Sequence, residues 1–469
     1  MKTRHLNQSR RRFLRSTAGA VALGGGAGLL PFNAAAQSGG YRALVCLFMY
    51  GGNDGINMTP PVEADAYRRY QGVRGSLALS AGNIIDLNGS IGLHHAMQDL
   101  VPYWDSGSMA IINNVGVLSR PTSQADFFAW RSRTDNDYVP DNLFSHSDQQ
   151  VLWETGSVSS LTRTGWGGRL MEALGASAPV YGFGKSSRFG EGQFSQPLSL
   201  PPAGSQLGLQ GYNNDNRWAD ARFNALAELV GQGNTNLLQT GFSHSQFSAF
   251  ETSALLGDIL EQTPAGGVAD PSNPQLSEAF RHFAGDSDNP LSRQLYQVAK
   301  MIHNRNAIGG NRHLFFVSLD GFDHHGGQLG KQQALLATVG QSLASFQAAM
   351  QALNLGGDVT LFTESDFGRT FKPNNSGGTD HGWGNQHLVL GGAVAGGQTY
   401  GSYPSLELGG PDDSGEKPWE HQGRWIPGTS VDQYLATLGQ WFAPELGENI
   451  FRVLPNLRRF EQPTIALMR

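Results

Sequence analysis

The chain has 469 residues, enough for one large hydrophobic core or two smaller ones, and with 39% hydrophobic and 15% charged residues it is too apolar for a disordered protein. Its 62 glycines and 22 prolines stay below the share typical of low-complexity sequence, which indicates many loops on an ordered scaffold. The lone cysteine, Cys46, excludes an intramolecular disulfide framework and any metal site built from several thiolates.

The net charge of −6 hides an uneven distribution of charge along the chain. Residues 1–36 contain six basic residues and no acid, so the remainder carries 27 basic and 39 acidic residues, a net charge of −12. Nucleic acid binding is favoured by a basic surface, because cationic side chains release counterions from the phosphates. The acidic remainder therefore argues against nucleic acid as the principal partner.

The first 36 residues have the pattern of an export signal. The basic stretch over residues 9–15 is followed by a glycine- and alanine-rich run to Phe32, and then by three alanines suited to a signal peptidase. This order resembles a bacterial twin-arginine signal peptide. The apolar run is too short and too rich in glycine for the roughly 20 apolar residues of a membrane span. We therefore expect the twin-arginine machinery to carry a mature chain that starts near Gln37 to the periplasm or the cell exterior, with no integral membrane segment.

Five continuous apolar runs follow, each ending in a polar or glycine-rich turn. Runs of this kind are buried on both faces, as the strands of a parallel sheet are, so we predict a strand at each of them. They cover residues 43–49, 109–112, 314–319, 359–362 and 388–390.

Between the third and fourth runs, apolar residues recur at steps of three and four, which predicts a helix with one buried face. They are Leu336, Val339, Leu343, Phe346, Met350 and Leu353. The segments 95–104, 215–231, 242–262 and 290–305 are also predicted to be helical. A strand, a helix and a further strand make a crossover unit, so we predict a three-layer α/β sandwich with a largely parallel central sheet. Residues 37–469 would form a single domain, with a cap or insertion around residues 184–290.

Carboxylates and imidazoles cluster after the predicted strands. Oxygen and nitrogen ligands of this kind hold Zn, Mn or Ca where thiolates are lacking. In open parallel sheets, ligands bind beyond the carboxyl ends of the strands, so we expect these side chains to form one shared metal or catalytic site. The candidate metal ligands are Asp54, Asp320, Asp323, His324, His325, Asp366, Asp380, His381 and His387.

Each cluster also has a simpler interpretation. An Asp-Gly step after a strand, such as the one at Asp54, is common in turns. An acid among residues 323–325 could cap the long helix that follows. His94 and His95 could be an exposed helix start or a packed pair, and we interpret them as structural.

Four segments of the chain carry a resemblance to a known family. They are FMYGGNDG at 48–55, GFDHH at 321–325, DFGRT at 366–370 and GTDHG at 378–382. Over nearly all of its mature length the chain resembles the bacterial domain-of-unknown-function 1501 family, which is placed in the alkaline phosphatase and sulfatase superfamily. The resemblance implies an alkaline-phosphatase-like fold in which Asp and His hold two divalent ions at the carboxyl edge of the sheet, beside a Ser, Thr or modified Cys nucleophile.

The resemblance also implies roles for individual acids and histidines. Asp54 corresponds to the acid after the first strand. Asp323 and His325 resemble the family's Asp-x-His turn, whereas Asp320 and His324 fit the four-residue interval between Asp and His of other superfamily members.

The carboxyl third of the chain supplies the remaining candidates. Asp380 and His381 resemble the family's Asp-His pair, with His387 as a further ligand. Asp366 stands where Glu is expected in many relatives. Arg369 could bind an anionic oxygen of a substrate bidentately, or could form a salt bridge with a neighbouring acid.

The nucleophile matches the family pattern poorly. The family places a Ser-His-Phe sequence shortly before a helical Trp, and counting back from Trp130 sets Thr122 against the Ser and Ser123 against the His. Either hydroxyl could be activated at a helix amino terminus beside a metal, or could be a plain N-cap. No cysteine lies in this segment, so a formylglycine made from Cys is excluded and ordinary sulfatase chemistry is disfavoured.

Two functions remain open from the sequence. The first is an exported metal-dependent hydrolase that cleaves a phosphate or sulfate ester on a small anionic or polymer-linked substrate. The second is a non-catalytic exported binding or assembly protein that retains the phosphatase-like scaffold. An NAD-type oxidoreductase is disfavoured, because no Gly-x-Gly-x-x-Gly stands at a strand-to-helix turn with a suitably placed acid after it.

Overall fold

The computed structural model describes residues 40–131, 139–176, 178–205, 207, 273–281 and 289–469, together with single positions between 221 and 260. The export signal predicted at residues 1–36 lies outside the described residues. The helices predicted over 215–231 and 242–262 also lie outside them, apart from those single positions.

Eleven strands are present in the described residues, and all five predicted runs lie within them. The strands are β1 (Arg42–Met49), β2 (Ile84–Asp86), β3 (Gly92–His94), β4 (Met109–Gly116), β5 (Tyr181–Gly182), β6 (Leu198–Ser199), β7 (Arg312–Leu319), β8 (Val359–Ser365), β9 (Asn385–Leu390), β10 (Thr399–Tyr400) and β11 (Thr429–Ser430).

The described helices range from single turns to one helix of 25 residues. They are α1 (Gly55–Met58), α2 (Ala64–Arg74), α3 (Val101–Asp105), α4 (Gln124–Arg131), α5 (His146–Thr155), α6 (Trp166–Ala173), α7 (Pro274–Ala279), α8 (Pro290–His303), α9 (Arg305–Ile308), α10 (Gln328–Ala352), α11 (Val431–Phe442) and α12 (Ile450–Val453). The predicted amphipathic helix between the third and fourth strand runs is α10, and α8 covers most of the predicted segment 290–305.

The central sheet has nine strands within the described part of the chain. Its order is β10-β4-β9-β8-β1-β7-β5-β6, and β11 also pairs with β4. β1 is parallel to its neighbours β7 and β8, and β5 is parallel to both β6 and β7. The prediction of a largely parallel sheet is therefore confirmed. β2 and β3 form a separate antiparallel pair.

β9 is the exception in strand direction. It is antiparallel to both β8 and β4. Its first residue, Asn385, therefore lies at the edge where β1, β7 and β8 end. The segment that leads into β9 thus reaches the same edge as the turns that follow the parallel strands.

Hydrophobic side chains cover both faces of the sheet. Along β1 they alternate, with Val45 and Leu47 in one core cluster and Cys46 and Phe48 in the other. The first cluster also contains the buried faces of α8 and α10, and the second contains those of α6 and α11. Helices on both faces of a mostly parallel sheet give the predicted three-layer arrangement.

The predicted helix over residues 95–104 is largely not an α-helix. Residues 95–100 form 3₁₀ turns with a non-helical backbone at Met97, and α3 begins only at Val101. The apolar spacing predicts which residues are buried there, but it does not distinguish a 3₁₀ turn from an α-helical turn.

The segment predicted as a cap or insertion begins inside the central sheet. β6 lies within residues 184–290 and pairs with β5, so this part of the segment extends the sheet. Among the residues that the structure describes, no helix has both the length and the apolar character that crossing a membrane requires.

Candidate metal centre

Four parts of the chain meet at the edge where the parallel strands end. The turn after β7 carries Asp323, and Asp366 follows β8 directly. The segment before β9 carries His381, and α5 begins at this edge with His146. Because parallel strands and the amino ends of their connecting segments share one edge, residues distant in sequence come together here.

Two imidazoles and one carboxylate form the centre of the site, named here the histidine–aspartate cluster (His146, Asp323 and His381). The two Nε2 atoms lie 3.1 Å apart. Asp323 Oδ1 lies 3.4 Å from His146 Nε2 and 3.7 Å from His381 Nε2. The side chains of His146, His381 and Asp323 are 26%, 24% and 47% exposed, so the cluster is open to solvent.

Asp366 fixes the orientation of His146. Its buried carboxylate accepts hydrogen bonds from His146 Nδ1 (2.6 Å), Gln150 Nε2 (2.8 Å) and the backbone N–H of Gly51 (3.1 Å). Since Nδ1 carries the proton given to Asp366, Nε2 of a neutral His146 ring presents a lone pair to the cluster. A carboxylate that orients a histidine in this way is typical of metal-binding histidines.

His381 is held in the same tautomer by the backbone. Its Nδ1 donates to the carbonyl oxygen of Phe144 at 2.7 Å, which leaves a lone pair on Nε2. Both imidazoles pack against the ring of Phe367, with centroid distances of 4.7 Å each. Burial lowers the pKa of His381, and the positive charge of Arg369 adds to this, although the bond to Phe144 opposes it. Burial therefore favours the neutral form of the His381 ring.

Asp323 is held as a charged acceptor. Its Oδ1 accepts a hydrogen bond from Arg369 NH2 at 2.5 Å and lies 2.9 Å from His325 Nδ1. Burial acts to raise the pKa of Asp323, but the hydrogen bond and charge of Arg369 outweigh it, so the pKa is lowered. The Arg369 side chain is 1% exposed, and this is the salt bridge that the sequence left as one of two interpretations.

His325 and Asp380 form the exposed rim of the site. His325 Nε2 lies 4.0 Å from Asp380 Oδ1, and Asn374 Nδ2 donates to the same oxygen at 3.1 Å. Both the His325 and Asp380 side chains are nearly half exposed. Of the predicted site residues, the structure thus brings Asp323, His325, Asp366, Arg369, Asp380 and His381 into one network.

Comparison with known protein families matches residues 41–413 to the family described as "Protein of unknown function (DUF1501)". The chain belongs to the DUF1501 family. The match covers more than half of the chain, in agreement with the resemblance seen in the sequence. No curated protein matches the chain.

Several solved structures show a distant likeness to this DUF1501 protein. The PsFucS1 sulfatase from Pseudoalteromonas sp. is 11% identical, with 91% of this chain and 71% of that chain covered and a TM-score of 0.32. A mutant of the alkaline phosphatase PafA is 13% identical, with 71% and 64% covered and a TM-score of 0.29. The C-terminal periplasmic domain of EcEptC from Escherichia coli, in complex with Zn, is 10% identical, with 75% and 73% covered and a TM-score of 0.29.

Asp54 of the DUF1501 protein is not part of the histidine–aspartate cluster. It caps α1 and forms a buried ion pair with Arg74, whose NH2 lies 2.7 Å from Asp54 Oδ1 and whose NH1 contacts Oδ2. Gln328 Nε2 donates to Oδ2 as well. These contacts use both carboxylate oxygens, so the structure favours a structural role over the predicted ligand role.

Three further predicted ligands also lie apart from the cluster. Asp320 is 60% exposed and pairs with Lys185 at 3.1 Å. His324 is buried, and burial, with the charges of Arg369 and Lys331, lowers its pKa. His387 lies inside the core on β9, where burial lowers its pKa to about 3. Consecutive residues of a turn face different ways, so Asp323 and His325 reach the site while Asp320 and His324 do not.

The two hydroxyls predicted as nucleophiles make local contacts before α4. Ser123 Oγ donates to Asp126 Oδ2 at 2.5 Å, and its backbone N–H donates to the same oxygen at 3.0 Å. Thr122 Oγ1 donates to the carbonyl of Arg120 at 2.8 Å. Ser123 Oγ also accepts from the backbone N–H of Asp126 at 3.1 Å, which is the bond of the capping interpretation, whereas the bond that Thr122 Oγ1 donates stays within the turn before the helix.

His146 was missed in the sequence analysis. It directly follows Ser145, and Trp153 lies seven residues later in the same helix, which matches the Ser, the His and the helical Trp of the family pattern, although Ser147 stands in place of the Phe. A second signal was the spacing of His146, Gln150 and Glu154, which places three polar side chains on one face of α5.

Proposed function

We propose that this DUF1501 protein is an exported hydrolase that uses a divalent metal ion to cleave a phosphate or sulfate ester. The observation that carries the proposal is the facing pair of imidazoles at the centre of the site. His146 and His381 each donate through Nδ1, so two Nε2 lone pairs face each other at 3.1 Å. Two acceptors repel at this distance unless a proton or a metal cation lies between them, and the carboxylate of Asp323 beside them completes a donor set for a metal ion.

The distances among the three side chains fit a metal ion. Zinc binds histidine nitrogen and carboxylate oxygen at about 2.0–2.2 Å, so two ligands in a tetrahedral site lie about 3.3 Å apart. The three distances within the histidine–aspartate cluster are 3.1, 3.4 and 3.7 Å. The donor set of two imidazoles and one carboxylate suits Zn or Mn better than Ca, which prefers oxygen ligands alone.

A divalent ion held by His146, His381 and Asp323 would lower the pKa of a bound water and polarise the ester. The protein's own residues position the ligands. Asp366 holds His146, and Arg369 holds the carboxylate of Asp323. Arg369 thus acts as a positioning residue for Asp323, and a substrate reaches the cluster through the exposed rim at His325 and Asp380.

Ser145 is the hydroxyl that we assign as the nucleophile in place of Thr122 and Ser123. It precedes His146 directly, and its Oγ donates to Asp148 Oδ2 at 2.7 Å, where a carboxylate can accept its proton. Ser145→Ala should lower kcat by about 100-fold or more with little change in KM, whereas Ser123→Ala should leave both unchanged. Equal activity of wild type and Ser145→Ala would assign the attack to water.

Hydrolysis is tested with purified protein and chromogenic phosphate monoester, phosphate diester and sulfate ester substrates. We expect one ester class to be turned over, a chelator to abolish the activity, and added Zn or Mn to restore it. His381→Ala and Asp323→Asn should lower kcat/KM by about 100-fold or more. The exposed His303, at the end of α8, supplies the control His303→Ala, which should match wild type. Full activity of His381→Ala would reject the proposal.

Export and partners form part of the same proposal. The basic stretch and alanine triplet in residues 1–36 support recognition by the twin-arginine machinery and delivery to the periplasm or cell exterior. There the substrate would be a small anionic ester or a polymer carrying such esters. Replacing Arg10, Arg11 and Arg12 together by Lys should retain the protein in the cytoplasm, as measured by cell fractionation.

A second candidate is a non-catalytic exported binding or assembly protein that retains the scaffold. The buried salt bridge between Arg369 and Asp323 favours this second candidate, because a buried guanidinium at 1% exposure does not face the rim, where a substrate anion would bind. In that case the ion would be structural. Wild-type protein with bound metal and no activity on any of the three ester classes, together with unfolding of Asp323→Asn, would support this candidate.

A further inference from the structure

Three polar side chains on one face of α5 connect the candidate metal centre to the protein interior. His146, Gln150 and Glu154 are spaced by four residues, so they lie above one another along the helix. The first two contact Asp366 Oδ2. The third, Glu154, is 5% exposed and accepts hydrogen bonds from Tyr50 Oη (2.6 Å) and the backbone N–H of Arg188 (2.7 Å).

The end of β1 is tied to this helix face at two points. Tyr50 follows β1 and donates to Glu154, and Gly51, the next residue, donates its N–H to Asp366 Oδ1 at 3.1 Å. Asp366 in turn holds His146. The two attachments lie about 12 Å apart along the helix axis, from residue 146 to residue 154. Together they fix the direction of α5 relative to the sheet.

We propose that Glu154 is a positioning residue for the histidine–aspartate cluster: through Tyr50 and Arg188 it sets the orientation of α5 and thereby the place of the His146 imidazole. This proposal rests on the proposed metal binding by the cluster. Without the attachment at Glu154, Asp366 remains as the polar link between the end of β1 and α5 among the described residues, while Leu152 and Trp153 still pack in the core. A small shift of the helix against this packing displaces His146 Nε2 from His381 and Asp323.

The protonation of Glu154 makes this attachment depend on pH. As a carboxylate, Glu154 accepts from both Tyr50 and Arg188. As a neutral acid it must donate from one oxygen, and since a backbone N–H cannot accept, the proton has to lie between Glu154 Oε1 and Tyr50 Oη. The Tyr50 hydroxyl then loses its role as donor to Glu154, and the attachment of β1 to α5 is rearranged.

The surroundings place this change near neutral pH. Burial raises the pKa of Glu154 to about 7, although the bonds from Tyr50 and Arg188 oppose the rise. Cys46 on β1 and Tyr50 just after it face Glu154, as do Glu364 on β8 and Asp366 directly after that strand. Arg188, in the segment after β5, also faces it, and Lys185 of the same segment lies over the Tyr50 ring. Glu154 itself contacts none of the three proposed metal ligands.

The test is zinc affinity, measured by competition with a chelator between pH 5.5 and 8.5. At pH 8, Glu154→Gln and Tyr50→Phe should each bind zinc about 10-fold more weakly than wild type, the size expected when a group that orients a ligand is lost. Below pH 6 the ratio of Glu154→Gln to wild type should approach one, because a protonated Glu154 and a glutamine each donate to Tyr50 and accept from the backbone N–H of Arg188. Glu172 on α6 accepts hydrogen bonds from the backbone N–H groups of residues 193–195, and Glu172→Gln is the matched control that should bind zinc as wild type does.

Equal affinity of wild type and both variants at pH 8, or a ratio that is constant with pH, would overturn the positioning role. A second readout separates this outcome from failure of the proposed function. In metal-free protein, the NMR signals of a labelled Tyr50 ring and of the Gly51 backbone amide, which lie at the two attachments of β1 to α5, should shift between pH 6 and 8 in a step that is absent in Glu154→Gln. If wild type binds no zinc but the step is present, the positioning role stands and the proposed metal function fails. Absence of the step in wild type overturns the positioning role.

Discussion

Replacing His387 by Phe should remove part of the acid sensitivity of the fold. His387 is fully buried between the rings of Trp153 and Tyr434, at centroid distances of 4.8 and 5.9 Å. Within the described part of the chain its Nε2 has no hydrogen-bond partner, and its Nδ1 lies 3.4 Å from Thr363 Oγ1. A phenyl ring keeps the packing of the imidazole and gives up one long hydrogen bond, so His387→Phe is a mild substitution at this position.

The expected effect follows from the pKa of the buried ring. Burial lowers the pKa of His387 from 6.5 to about 3, against the opposing effect of Thr363. Well above pH 6.5 the ring is neutral in the folded and the unfolded chain alike, so its packing contributes fully to the free energy of unfolding. As the pH falls, the unfolded chain takes up a proton that the folded chain does not, and stability is lost at about 1.4 kcal/mol per pH unit. From pH 8 to pH 4.5, His387 accounts for a loss of about 3 kcal/mol.

Urea unfolding at pH 8 and pH 4.5 measures this effect directly. Between the two pH values the free energy of unfolding should fall by about 3 kcal/mol less in His387→Phe than in wild type. The control His303→Gln changes an exposed histidine and should retain the wild-type fall. If His387→Phe loses as much stability on acidification as wild type does, burial does not keep this ring neutral and the reasoning is refuted.

Three other substitutions test the buried polar groups and the tight turn beside the site. Arg74→Met leaves the Asp54 carboxylate buried without its ion pair, so it should lower the free energy of unfolding, measured in urea, by about 3–5 kcal/mol. An unchanged urea midpoint would contradict the buried ion pair. Burial raises the pKa of Asp432 to about 6, so the stability that its protonated form contributes is lost as the pH rises from 4 to 6. Asp432→Asn should remove about 2 kcal/mol of that loss of unfolding free energy between pH 4 and pH 7.5. Gly55→Ala would place a Cβ 2.2 Å from Asn385 Oδ1 and should lower stability by about 1–3 kcal/mol, seen as a lower Tm; an unchanged Tm would show that the turn has room for a side chain.

The strands of the core could be predicted from the sequence because they are buried on both faces. β1, β4, β7, β8 and β9 each contain one of the predicted apolar runs. The direction of β9 could not be predicted, since it pairs with β8 and β4 through contacts that depend on the whole sheet. The two-residue strands at the sheet edges give no detectable periodicity, because a period of two requires at least four residues.

The site could be predicted in part for a similar reason. Asp323 and Asp366 follow strands, and the topology of a parallel sheet brings such turns together. His146 begins a helix far from both in sequence, and only the folded chain shows that it faces His381. Asp54 has the same sequence context as the two acids, but the burial of Arg74 beside it, a long-range contact, gives it a structural role.

X-ray absorption at the zinc edge of the zinc-loaded protein tests the central claim most directly. A first shell with two imidazole nitrogens and a carboxylate oxygen at about 2.0–2.2 Å is expected. One imidazole should be lost from that shell in His381→Ala, while His303→Ala should give the wild-type spectrum. Zinc bound in wild type with no imidazole in its first shell, or a spectrum unchanged by His381→Ala, would contradict the assignment of His146, Asp323 and His381 as a metal centre.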